Sequence, residues 1–176
     1  MVISMRFETS HVLPADLDRV MAMLRDRGYL DSSARASGAL SWTNEVAGQQ
    51  DGAFVVRSAR HLPTDAVPPS LRQVLGARLE VKMVQAWTPV DVQQSRRATV
   101  TIDITGVPAR CSGRIVVGTQ NPSDHSTTVR QEWDIEVTIP LVGAMVAEKI
   151  AETLRNTVDA EHAAALSFLN ESSEES

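Results

Sequence analysis

The sequence predicts an α+β domain in which a curved antiparallel sheet of seven strands wraps one long C-terminal helix. Three observations carry this. Apolar and polar residues alternate with period two in segment after segment, the pattern of strands with one covered and one wet face. The stretch 143–169 abandons that period for a single apolar stripe at helical spacing. The strand segments are joined by short connections, so a meander is the simplest topology.

The first strand sets Ile3, Met5 and Phe7 against Ser4, Arg6 and Glu8. Pro14 stands where a helical turn begins, with Asp16 and Asp18 suited to the positive helix end. Leu17, Val20, Met21 and Leu24 recur at helical spacing, and Gly28 is expected to end that helix; a second short helix is expected over 31–37, stopped by Gly38. Leu40, Trp42 and Val46 then form one face of the second strand, and the Asp51-Gly52 turn leads to Phe54 and Val56 of the third. Leu79, Val81, Met83 and Trp87 face inward on the fourth, Val100, Ile102 and Ile104 on the fifth, Ile115 and Val117 on the sixth. In the seventh, Val129, Trp133, Ile135, Val137 and Ile139 alternate with Arg130, Glu132, Asp134, Glu136 and Thr138. The final stripe is Val142, Met145, Val146, Ile150, Leu154, Val158, Ala165, Leu166 and Leu169. A helix of that length spans about 40 Å, enough to lie across a whole sheet. Residues 1–169 read as one domain and the acidic 170–176 as a disordered tail.

Composition narrows the function. Hydrophobic residues are 43% and charged residues 22%, which is globular, and a net charge of -5 disfavours nucleic acid as a partner. The N-terminus lacks the features of a signal peptide, no apolar run is long enough to span a bilayer, and one cysteine, Cys111, cannot form an internal disulfide. A cytoplasmic location is the expectation. The histidines His11, His61, His125 and His162 show no metal-ligand spacing, and no phosphate-binding glycine loop is present, so no metal or cofactor is expected. Asp124-His125-Ser126 reads as a hairpin turn rather than a triad, and Cys111 as a small core residue.

The order strand, two helices, six strands, long helix resembles the START and birch-pollen-allergen superfamily, also called the helix-grip or SRPBCC fold. Arg60-His61-Leu62-Pro63-Thr64-Asp65 with Pro68-Pro69, Gln85-Ala86-Trp87, and Ile139-Pro140-Leu141-Val142-Gly143 resemble, more narrowly, a bacterial family of unknown function within it. The resemblance implies a curved seven-stranded sheet gripping the last helix. Members of the superfamily bind lipids, sterols, polyketides or plant hormones, and some are cyclases or ring-hydroxylase subunits.

Alternating strand direction brings the ends of strands three, five and seven to one rim, at 62–76, 105–109 and 139–143. Leu71, Val74 and Leu75 belong to a short helix after Pro68-Pro69, an apolar segment that is either a lid over an opening or a fixed plug. By parity the inward faces carry the polar residues Asn44, Ser58, Arg60, Gln85, Cys111 and Gln131. An unpartnered buried polar group costs about 1–3 kcal/mol, so each meets another polar group, water or a ligand. Trp42, Trp87 and Trp133 share those faces, and His61 stands near the rim. The candidate ligand-binding set is Trp42, Asn44, Arg60, His61, Leu71, Leu75, Gln85, Trp87, Gln131, Trp133 and Met145. Its expected partner is an apolar small molecule in a cavity between sheet and last helix. The alternatives are a cyclase- or hydrolase-type enzyme using His61, Gln85 or Gln131, and a ligand-free interaction protein.

Overall fold

The alternating segments become strands β1 (Ile3–Leu13), β2 (Ser41–Gly48), β3 (Phe54–Pro63), β4 (Arg78–Trp87), β5 (Ser95–Ile104), β6 (Ala109–Gly118) and β7 (Thr127–Val137). They pair antiparallel in one sheet of order β1-β7-β6-β5-β4-β3-β2, a meander closed on β1. Helices α1 (Leu17–Arg25) and α2 (Arg27–Ala36) follow β1, α3 (Pro69–Leu75) joins β3 to β4, and α4 (Gly143–Glu174) ends the chain. This computed structural model describes residues 1–176 except Ala66, Gln120 and Ser176, and their side chains except those of Ser70, Val74 and Leu75.

One face of the sheet packs against α1, α2 and α4, and the core is the apolar set read from strand parity: Phe54, Val56, Val100, Val117, Ile135 and Val137 are all but closed to solvent. Helix α4 contributes Val146, Ala147, Ala151, Val158, Ala165 and Leu169. The register sets Gly113 opposite Trp133. A Cβ on Gly113 would stand 2.8 Å from the indole, so only glycine lets this ring lie across β6.

Two expectations are corrected. The first helix ends at Arg25 rather than Gly28, because the Asp26 carboxylate accepts from Tyr29 N at 3.2 Å and starts a new helix that contains Gly28. The segment 170–176 is not a frayed tail throughout: α4 continues to Glu174. Arg19 Nη2 donates to Leu169 O, Ser172 Oγ and Ser173 Oγ at 2.6, 2.7 and 2.8 Å, tying that last turn to α1. Among the described residues no helix is long and apolar enough to cross a membrane.

Candidate functional site

A central strand in a covered sheet should have a buried inner face, as β5 does, where Ala98, Val100, Ile102 and Ile104 are all buried. Strand β4 lies beside it, yet its inward residues Leu79, Val81, Met83 and Gln85 are only half-buried. The gap over them is a pocket of ≈ 400 Å³ between the sheet and α4. Its walls are Leu79, Val81 and Met83 of β4, Ile102 and Ile104 of β5, Cys111 of β6, and Val146, Ile150, Leu154 and Val158 of α4. Leu62, Val67, Pro68 and Leu71 close it on one side, with Gly106, Val107, Pro108 and Ile139 beside them. All three rim segments expected from strand direction therefore meet at this pocket.

A second space of ≈ 90 Å³ is lined by residues of α2 and the C-terminal half of α4. It is more polar. Trp87 Nε1 donates to Gln85 Oε1 at 3.1 Å, and Trp133 Nε1 donates to Gln131 Oε1 at 3.1 Å. These are the same unit built twice, because residues two apart on a strand share a face. Tyr29, His11 and His162 line the same space. Burial, and then Glu161, push the Tyr29 hydroxyl above its ordinary value, so it stays protonated. Burial, and then the His11 ring with its centroid 4.4 Å away, hold His162 below the ordinary histidine value.

Between the two spaces stands a polar partition that borders both: Ser58, Arg60 and Glu161, with Met83, Trp133 and Val158. Arg60 Nη1 is 3.0 Å from Glu161 Oε1 and donates to Ser37 Oγ at 3.1 Å; Nη2 donates to Ser33 Oγ at 3.3 Å. Arg60 is 8% exposed, and its Nε has no partner. Cys111 faces the larger pocket, and burial pushes its thiol up to about 11.

The expected site residues divide. Arg60, Leu71 and Trp133 border the larger pocket; Gln85, Trp87 and Gln131 border the smaller, which Arg60 and Trp133 also reach. The other placements are corrections. Trp42 lines neither space: its Nε1 donates to Asp31 Oδ1 at 2.9 Å, and Arg35 lies over its ring, so α2 covers it. Asn44 is consumed in the same way, giving to Asp31 Oδ1 at 3.0 Å and accepting from Ser58 Oγ at 2.9 Å. His61 follows Arg60 on the strand and so takes the opposite face, where its Nδ1 is 3.1 Å from Ser41 Oγ. Met145 is 43% exposed, one residue out of phase with Val146. The side chain of Leu75 lies outside the described ones.

Glu161, Ser33 and Ser37 were missed. Glu161 had a legible signal: it falls three residues after Val158 and four before Ala165, a charge on the apolar stripe itself. The serines had none. Among the described residues no group of three or more His, Cys, Asp or Glu stands together as for a metal.

A meander curved over one long helix, with a lined space between them, is a helix-grip fold. The chain belongs to the family described as Protein of unknown function (DUF2505), whose model matches residues 8–169. No curated protein matches the chain. Among solved structures it is similar to the Zhui aromatase/cyclase from Streptomyces sp. R1128, at 16% identity and TM-score 0.60, covering 94% of this chain and 93% of that one. It is also similar to a START superfamily protein from Mycobacterium smegmatis, at 14% identity and TM-score 0.55, covering 93% and 98%. A third is truncated norcoclaurine synthase from Thalictrum flavum, at 14% identity and TM-score 0.53, covering 92% of each chain. At these identities the likeness is one of fold.

Proposed function

We propose that this protein binds an apolar or amphipathic small molecule, lipid-like or polyketide-like, in the larger pocket, with the α3 segment as its entrance. The observation that carries the reading is the half-covered inner face of β4, a central strand whose apolar residues Leu79, Val81 and Met83 stay only half-buried. An engineered apolar cavity of about 150 Å³ stays dry and takes up benzene. This pocket measures ≈ 400 Å³. Apolar walls favour an apolar occupant over water. The similarity to an aromatase/cyclase and to norcoclaurine synthase accords with small molecules as the partner class. A cytoplasmic setting, which keeps a lone thiol such as Cys111 reduced, suits the same reading.

The test is titration with the uncharged dye Nile red, paired with native mass spectrometry of the purified protein. Saturable dye uptake, lost in Val81→Trp while the circular dichroism spectrum is kept, is the expected result. Absence of uptake by the unaltered protein overturns the proposal.

A further inference from the structure

We infer that the pocket's occupant ends in an uncharged hydrogen-bond acceptor, a carbonyl or hydroxyl oxygen, and that Arg60 is the residue that reads it. The inference rests on the binding function proposed above and specifies its ligand class. Leu71 and Val81 stand where the wall is apolar, whereas Ser37, Ser58, Arg60 and Glu161 form a polar end at the partition; Lys149, Thr153 and Thr157 of α4 also line the pocket. A molecule that satisfied both regions would be apolar along its length and polar at the inner tip.

The state of Arg60 sets the chemistry of that tip. A guanidinium offers five N–H donors and no acceptor, so its ligand group must accept. Nη1 donates to Ser37 and Nη2 to Ser33, and Nη1 stands 3.0 Å from the Glu161 carboxylate as an ion pair. Nε is buried without a hydrogen-bond partner. It shares one edge of the planar group with Nη2, the edge from which a guanidinium grips an acceptor. Ser37 and Ser33 take two of the five donors, and the Nε donor has no partner.

Charge excludes the most familiar acceptor. Glu161 already neutralises Arg60 at 3.0 Å. A ligand carboxylate at the same guanidinium would place two anions around one cation in a poorly solvated site, where repulsion is weakly screened. A neutral oxygen takes the Nε donor without that cost. Lys149, also on the wall, is already paired with Glu152 at 3.2 Å.

The experiment is displacement of Nile red by four probes of matched chain length: n-decane, n-decanol, methyl octyl ketone and decanoate, at about pH 8 where the acid is ionised. The alcohol and the ketone are expected to displace the dye at about tenfold lower concentration than decane, with decanoate weaker than either, as a bond to a charged donor implies. Removing one member of the ion pair leaves the other buried and unpaired, so the paired variant Arg60→Met/Glu161→Leu is used beside Arg60→Met. In the paired variant the three uncharged probes should become equal to within about twofold, because the reading donor is gone; in Arg60→Met the ketone should fall to the level of decane, while the alcohol can still donate to Glu161. Tightest binding by decanoate, or a preference for alcohol and ketone that survives in the paired variant, overturns the inference and leaves the pocket reading standing. Failure of every probe and of the dye itself overturns the pocket reading, and this inference with it.

Discussion

Arg60 on β3 and Glu161 on α4 meet at 3.0 Å between Nη1 and Oε1, an ion pair that spans the space between the sheet and the helix it grips. The pair stands between the two spaces and joins β3 to α4 through charge rather than through apolar packing. Its side chains are 9% and 23% exposed, so solvent screens the arginine end little and the glutamate end more.

Removing one partner strands the other. Glu161→Leu is expected to lower stability on the order of 3 kcal/mol, since Arg60 keeps its charge with only serines to bond. The paired change Arg60→Met/Glu161→Leu should recover most of that loss, because two apolar side chains of similar volume can replace a buried ion pair. Urea unfolding of the four species in the cycle measures the coupling. Additive losses would show that the pair does not act as a unit.

Gly113→Ala is expected to cost about 1–3 kcal/mol, the range for forcing an extra methyl group into a filled core. The new Cβ would meet the Trp133 ring at 2.8 Å, and that ring is buried and held by Gln131. The near-ultraviolet circular dichroism of the tryptophans should change with it. An unaltered spectrum and unaltered melting temperature would mean the ring has room to move.

Acid should loosen the contact of β1 with α4. His162 has its folded-state pKa held below the ordinary 6.5 by burial and then by His11. The unfolded chain therefore binds the proton more readily than the folded one. Stability is complete above about pH 6.5 and falls as pH drops through that value towards the lower folded-state pKa. His11 is itself 3.3 Å from Asp159, so the carboxylate at this contact sits with His11. Melting temperature measured from about pH 8 to about pH 5 should decline more shallowly in His162→Gln. Superimposable profiles would remove His162 from the cause.

Cys111 reports on the larger pocket from inside. With its thiol raised to about 11 by burial, little thiolate exists near neutral pH. Alkylation by iodoacetamide, followed by intact mass, should be on the order of a hundredfold slower than in the urea-unfolded chain. Saturating Nile red should slow it further, because Cys111 lines the pocket that the dye is proposed to occupy. Equal rates in folded and unfolded protein would place the thiol in solvent.

Much of the fold was legible because period-two alternation decides which face of a strand is buried, and one-sided strands on a meander leave few architectures. The same parity put Arg60, Gln85, Gln131, Trp87 and Trp133 on the inner face, where they are. It failed at Trp42 and Asn44 for a definite reason. Parity says which face, not what covers it, and Asp31 of α2 claims both side chains. Met145 failed through helix phase, where a single residue turns a side chain by about 100°. His61 was placed by proximity to the rim, although its position after Arg60 already sent it to the outer face.

The sequence by itself determined the strands, the grip on a long last helix, the rim where three connections converge, and the inward set of aromatic and amide side chains. These follow from local periodicity, which each segment carries without reference to the others. Only the tertiary structure decided that β4 is left half-covered, that Glu161 reaches Arg60, and that the Arg60 Nε remains unused. Those depend on the distance between the sheet and α4, which is set by how every wall side chain packs at once and is written in no single stretch of chain.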